Sequence, residues 1–259
     1  VTHERRDVAD RRLIFSINSG RCGSQFLSEL LGSALGVHSR HEPEPKMNGV
    51  YVDMINRLPY SATRNERAAK CVAIANVLRK LEPWQVYAET THMFIKTFFD
   101  VVLEDFTNVE VIVLRRNLAA VLKSFVEMGY FSERNPYWSN WMSSPHAATA
   151  ARRPPRPEAN LDQYDRCIAY LLDIEARGAR FKREYPRVPT YEVDVESLNT
   201  YPAVEELFAS LRISPGPNTR EVCQRRINAR DEVKHSIGNS TTLDICVARL
   251  QQYRDRAED

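Results

Sequence analysis

The sequence predicts an α/β protein: a mainly parallel central sheet flanked by helices, in a single domain spanning residues 1–259. Three observations carry this. The runs 13–17 and 109–114 are almost wholly apolar, as strands are when both faces of the sheet are covered. Between such runs, apolar residues recur every three or four positions, the period of a helix packed on one face. Strand-like and helix-like stretches alternate along the chain, which is the pattern of βαβ units.

The elements follow in order. The first strand, Leu13-Ile14-Phe15-Ser16-Ile17, runs into a glycine-containing turn, and apolar residues at 26, 27, 30, 31, 34 and 35 predict a helix over 24–35. Helical spacing returns over 64–81, followed by a short strand candidate, Gln85-Val86-Tyr87-Ala88-Glu89. The strand at 109–114 leads into a helix over 118–128, and a further helix covers 161–185. Residues 188–193 read as a strand that its proline confines to a sheet edge, before a last helix over 204–211. The stretch from Ser143 to Glu158 is too rich in proline for a helix or a central strand. It reads as a long loop or lid over the carboxyl edge of the sheet, where α/β proteins bind ligands.

Composition narrows the classes. The chain has 259 residues, 43% apolar and 27% charged, which is the make-up of a globular protein able to bury a large core. A formal charge of +2 argues against bulk binding to nucleic acid or to an anionic membrane. No apolar run is long enough to cross a membrane, and Val-Thr-His-Glu-Arg-Arg at the start lacks the apolar segment of a signal peptide, so a cytoplasmic location is expected. The five cysteines are scattered and show no zinc spacing, so neither a disulfide framework nor a metal site is expected. Only seven of the 36 basic residues are lysine, and the arginines supply rigid, bidentate oxyanion binders.

The segment Asn18-Ser19-Gly20-Arg21-Cys22-Gly23-Ser24-Gln25-Phe26-Leu27 carries the strongest chemical signal. A strand ends in small residues and a helix begins at once, so backbone N–H groups and the helix dipole point at one spot. Arg21 adds fixed positive charge, while Ser24 can cap the helix or donate its hydroxyl to a phosphate oxygen. A nucleotide-hydrolysing P-loop reads G-x-x-x-x-G-K-[ST]. Here Gly20 and Gly23 are too close together, and the strand at 109–114 is followed by Arg115-Arg116 rather than by the acidic residue that holds Mg²⁺.

These residues resemble a known family, the 3′-phosphoadenylyl sulfate (PAPS)-dependent sulfotransferases. Their 5′-phosphosulfate loop reads roughly Lys/Arg-Ser-Gly-Ser/Thr-Ser/Thr-Phe/Trp-Leu. This chain has Arg21-Cys22-Gly23-Ser24-Gln25-Phe26-Leu27, departing at Cys22 and Gln25. The family's second motif, an Arg after a central strand and a Ser eight positions later, is matched by Arg116 and Ser124, with Leu118 where a proline is frequent. Tyr191-Glu192-Val193-Asp194 and the helical segment after it resemble the family's Tyr-Glu-Asp-Leu strand end. The resemblance spans residues 13 to about 213, in the family's order. It implies the P-loop NTPase-like sulfotransferase fold, PAPS as sulfuryl donor, 3′,5′-ADP as product, and no metal. It assigns Arg21, Cys22, Gly23, Ser24, Gln25 and Phe26 to the 5′-phosphosulfate and adenine, with Arg21 also stabilising the bridging oxygen. Arg116 and Ser124 are assigned to the 3′-phosphate, and Lys234 is a late candidate for the same contact. The acceptor implied is a small molecule, an aromatic or sugar alcohol more than an amine, with no nucleic-acid or membrane partner. Two other readings stay open: an ATP-dependent P-loop kinase and a catalytically inactive anion-binding module.

Sulfuryl transfer needs a base for the acceptor proton. His92, in Thr90-Thr91-His92, resembles the Lys-Thr-His segment of cytosolic members, with Thr90 in place of their Lys. Imidazole titrates near 6.5, which suits proton abstraction at neutral pH. Glu42, in His41-Glu42-Pro43-Glu44-Pro45, stands at the distance from the first helix that the catalytic Glu keeps in tyrosylprotein sulfotransferases. One can serve as base and the other as orienter; Glu44 and Glu89 are the remaining carboxylates. The aromatic run Tyr130, Phe131, Tyr137, Trp138 and Trp141 either lines an acceptor pocket or packs the following loop.

Overall fold

The structure, a computed structural model, describes residues 7–154, 156–225 and 238–258. It is an α/β fold, as the sequence predicts, and it forms two compact units. The first takes its residues from Val1–Met47, Arg64–Arg115 and Lys182–Asn228; the second from Asn48–Thr63, Arg116–Phe181 and Ala229–Asp259.

The first unit holds the whole sheet. Its strands are β1 (Leu13–Ile17), β2 (Val37–His41), β3 (Val86–Thr90), β4 (Val109–Arg115) and β5 (Thr190–Asp194), in the order β2-β3-β1-β4-β5. Every pairing is parallel. β1 is buried at all five positions and β4 at its first six, which is why both read as continuous apolar runs. β5 is an edge strand, and the carbonyl of Pro189 just before it accepts from Val111 N–H (2.9 Å), so the proline costs the ladder no donor there. The sequence reading has no counterpart for β2. Val-His-Ser-Arg-His has one apolar residue and pairs on one side alone, so it carries little of the hydrophobic pattern.

Helices α1 (Ser24–Gly32), α4 (Ala69–Leu78), α5 (Phe99–Asp105), α8 (Tyr201–Ser210) and α9 (Thr219–Gln224) belong to the same unit, with the short α3 (Arg64–Arg67) before α4. The helix expected over 64–81 is thus broken between α3 and α4. α1 packs against β2 and β3. A π-helical turn, Phe94–Phe98, leads from β3 to α5 and stacks Phe94 on Phe15 of β1 at 4.6 Å between centroids.

The second unit is helical: α2 (Val50–Arg57), α6 (Leu118–Glu127), α7 (Gln163–Glu184, up to Phe181) and α10 (Leu243–Glu258). α6 packs against α10, and Phe125, Tyr130, Phe131 and Tyr170 form a cluster of tilted rings. The proline-rich loop is anchored at both ends of its first half. Ser144 N–H and Ala148 N–H donate to the side chain and backbone of Asn56 (2.9 and 2.8 Å). Ala151 and Arg152 N–H donate to Asp173 Oδ1 on α7 (2.6 and 2.9 Å). No described helix is long and apolar enough to cross a membrane. All five cysteines are buried free thiols.

Candidate active site

Strand order explains how residues far apart in sequence meet. β1 lies centrally, with β3 on one side and β4 on the other, so the winding reverses at β1. A crevice opens at the carboxyl ends of strands at such a reversal. The loop 18–23 leaves β1 there, and the ends of β2 and β3 in the same half of the sheet deliver His41-Glu42 and Thr91-His92.

The loop is organised by Asn18, a residue the motif comparison passes over. Asn18 is buried; its Oδ1 accepts from Gly20 N–H (3.0 Å) and from the Cys22 thiol (3.5 Å), and its Nδ2 donates to Ser16 Oγ (2.8 Å). Burial pushes the Cys22 thiol up to about 11, so it stays a neutral loop-packing group and no nucleophile. Gly23 takes the N-cap position of α1 at φ +89°, and no side chain caps the helix. Ser24 is therefore the first helical residue rather than the cap, which leaves its hydroxyl outside the role of capping α1. A Cβ at Gly23 would stand 2.6 Å from Val195, so glycine is required by space as well as by backbone. Arg21 also sits in the left-handed region, at φ +56°, a placement that concentrates at ligand-binding loops. Gln25 is half-buried and reaches Glu29 (3.4 Å), while Phe26 is buried with Leu27 and Leu30 on the inner face of α1.

Against this loop lies a titratable cluster. The His92 ring faces Gly20, where an added Cβ would come within 3.5 Å of Cγ and Nδ1. Its Nε2 is 3.5 Å from Glu42 Oε1, and His41 Nε2 is 3.9 Å from the same oxygen. His41 is fixed by Nδ1 against the Thr90 carbonyl (2.7 Å). Lys96, fully buried in the π-helical turn, donates from Nζ to His92 Nδ1 at 2.8 Å. An ammonium has donors alone, so Nδ1 accepts and the proton of the neutral ring sits on Nε2, toward Glu42. Burial, with the charges of Lys96 and His41, holds His92 well below the usual histidine range. The sequence signal for Lys96 is a single charge inside the apolar stretch 93–99.

Glu42 is half-buried at φ +47°, and Glu44 is exposed beside Lys46 (3.7 Å). Glu89 is sealed from solvent, 2.8 Å from Lys70 Nζ and accepting from Tyr87 O–H (2.7 Å). Burial raises its pKa, opposed by Lys70. Its surroundings make it a structural carboxylate. A pocket of about 270 Å³ opens beside this region, between Arg40 and His41 at the end of β2, Pro43 and Glu44, and the aliphatic wall of Ala73, Ile74 and Val77 on α4.

The remaining predicted residues belong to the second unit. Arg116 is exposed and precedes Asn117, whose Oδ1 caps α6 by accepting from Ala120 N–H (3.1 Å). Ser124 is buried two turns into that helix. Phe131 is buried against Trp138 (4.4 Å between centroids) and Tyr170, whereas Tyr137 is exposed. Lys234 lies outside the described residues. Among the described residues, no group of three or more His, Cys, Asp or Glu side chains is placed to hold a metal ion.

The described residues thus form a parallel sheet with a glycine-entered helix directly after β1. Solved structures that it resembles include several sulfotransferases. A sulfotransferase domain from the curacin biosynthetic pathway is 13% identical, covering 96% of this chain and 98% of its own, with a TM-score of 0.53. The sulfotransferase domain of the Synechococcus PCC 7002 olefin synthase is 13% identical, with 98% of both chains covered and a TM-score of 0.51. A sulfotransferase from Alicyclobacillus acidocaldarius is 12% identical over 93% of this chain and 95% of its own, with a TM-score of 0.50. The chain has the sulfotransferase fold. No protein-family model and no curated relative matches the sequence.

Proposed function

We propose that the protein is a PAPS-dependent sulfotransferase acting on a hydroxyl of a small-molecule or sugar acceptor. A fold can host several activities, so the reading rests on the site. The observation that carries it is the packing of the His92 ring against Gly20 of the loop that opens α1, with Glu42 and Lys96 at the two ring nitrogens. When bound, the donor supplies an electrophilic sulfur and a phosphate leaving group.

Glu42 takes the acceptor proton. His92 is the orienter: its Nδ1 lone pair is engaged by Lys96, its basicity is suppressed, and its Nε2–H faces Glu42. Arg21 and the N-terminus of α1 hold the 5′-phosphosulfate, and Arg21 stabilises charge on the bridging oxygen, as a fixed donor does best where water is excluded. Arg116 and Ser124 hold the 3′-phosphate that tells PAPS from ATP. The aliphatic and polar walls of the pocket beside His41 suit an acceptor with an apolar body and a hydroxyl.

Calorimetric titration with 3′,5′-ADP, 5′-AMP and ATP with Mg²⁺ tests this. Clear preference for 3′,5′-ADP is expected. Preference for ATP with Mg²⁺ would make the protein a kinase, and no nucleotide binding an inactive anion-binding module. Arg116→Ala should weaken 3′,5′-ADP by about 1.5–3 kcal/mol, the worth of a charged hydrogen bond, and leave 5′-AMP nearly unchanged. Equal loss for both nucleotides would remove Arg116 from the 3′-phosphate. Labelled PAPS offered with phenols, alkanols and sugars then names the acceptor.

A further inference from the structure

The loop bearing Glu42 has an unusual anchor. Lys70, on α4, is 1% exposed, and its Nζ meets three oxygens: the carbonyls of Pro43 and Pro45 (3.0 Å each) and Glu89 Oε1 (2.8 Å). The ammonium donates to the two carbonyls, and the Glu89 carboxylate balances its charge. The Phe98 ring closes the cage 5.2 Å from Nζ. Glu89 is itself fixed in β3 by Tyr87 O–H (2.7 Å), and β3 is paired on both sides. The two carbonyls are therefore referenced to the sheet.

We propose that Lys70 is a positioning residue for Glu42, clamping the backbone on its carboxyl side so that the carboxylate stays at His92. This deepens the assignment of Glu42 as base and rests on it for its catalytic meaning. The clamped carbonyls lie one and three residues beyond Glu42, at the point where β2 has ended and no strand pairing holds the chain. Glu42 adopts φ +47°, a backbone conformation that non-glycine residues avoid and that persists where the surroundings over-determine it. Stability alone does not account for the buried pair, because apolar replacements of buried ion pairs are commonly neutral or stabilising. What an apolar side chain cannot do is hold two carbonyl oxygens at fixed points.

Histidine-¹⁵N NMR of the full chain reads the geometry without needing an acceptor. Glu42→Ala provides the reference spectrum for His92 without its carboxylate neighbour. Lys70→Met removes the clamp, and Lys70→Met/Glu89→Gln removes it while leaving no lone buried charge; melting curves identify the folded variants. In the folded variants the His92 Nε2 signal should move to its Glu42→Ala position, and Lys70→Met should add nothing in the Glu42→Ala background. A His92 signal that keeps its wild-type position in folded Lys70→Met/Glu89→Gln would overturn the proposal. So would a Lys70→Met effect that persists when Glu42 is already alanine, since Lys70 would then reach His92 by another route. If Glu42→Gln keeps full turnover while the spectral coupling holds, the base assignment fails and the clamp stands.

Discussion

At the scale of single residues, the site turns on which of two neighbours gives and which takes a proton. Imidazole is the better general base in free solution at neutral pH. In this structure Lys96 occupies the Nδ1 lone pair, and burial holds the ring neutral well below the usual histidine range. A ring that stays neutral as the pH falls through 6.5 contributes no acidic limb there. Glu42→Gln should lower turnover by about 10²–10⁴, the range for loss of a general base. His92→Gln, which keeps an amide donor toward Glu42, should cost much less. An acidic limb of the wild-type pH–rate profile near 6.5 that disappears in His92→Gln would reverse the two roles. Arg21, Glu42 and His92 are each legible from motif and residue type. Lys70 is not, because its partners Pro43, Pro45 and Glu89 reach it only on folding, whereas Asn18 and Lys96 act on residues two to four positions away without belonging to a motif.

Among elements, the strand-loop-helix unit from β1 to α1 is the most local and therefore the most readable. Its glycines, its polar turn and its amphipathic helix are contiguous in the sequence, and the structure moves only the details: Gly23 rather than Ser24 occupies the cap. Gly23→Ala tests the unit. It forces an L residue into the left-handed region, worth about 1–2 kcal/mol, and drives a methyl to 2.6 Å from Val195. A loss of at least ~1–2 kcal/mol in urea unfolding is expected, together with weaker 3′,5′-ADP binding. An unchanged unfolding midpoint would mean that Val195, just beyond β5, yields freely. β2 shows the opposite case. Its polar residues and one-sided pairing leave no alternation to read, yet it delivers His41 and Glu42.

For the molecule as a whole, stability in the second unit depends on a buried ionic network that the sequence does not announce. Arg177 and Asp173, both on α7 and each 1% exposed at the side chain, pair at 2.6 Å. Arg177 also donates to the hydroxyl oxygen of Tyr60 (2.7 Å), and Asp173 receives the two N–H groups that fasten the proline-rich loop. Asp173→Ala leaves a buried guanidinium and two backbone donors without their acceptor. A loss of about 3–5 kcal/mol is expected in urea unfolding, as for other broken buried pairs. A change below ~1 kcal/mol would show that water reaches and satisfies Arg177. The same carboxylate ties residues 151 and 152 of the loop to α7.

The sequence by itself determined the α/β class, the central strands, the loop between β1 and α1, and the identity of the two base candidates. Each of these is written in contiguous residues or in a hydrophobic period, which a linear reading captures. Tertiary structure alone decided that Gly20, Glu42, His92 and Lys96 share one place, and which of them keeps a usable lone pair. Parallel pairing of β2, β3 and β1 brings together positions separated by dozens of residues, through backbone hydrogen bonds that are blind to side-chain identity. Burial then sets the protonation of the groups it encloses. Neither effect leaves a mark in the order of amino acids, because both depend on what stands opposite a residue and not on what stands beside it.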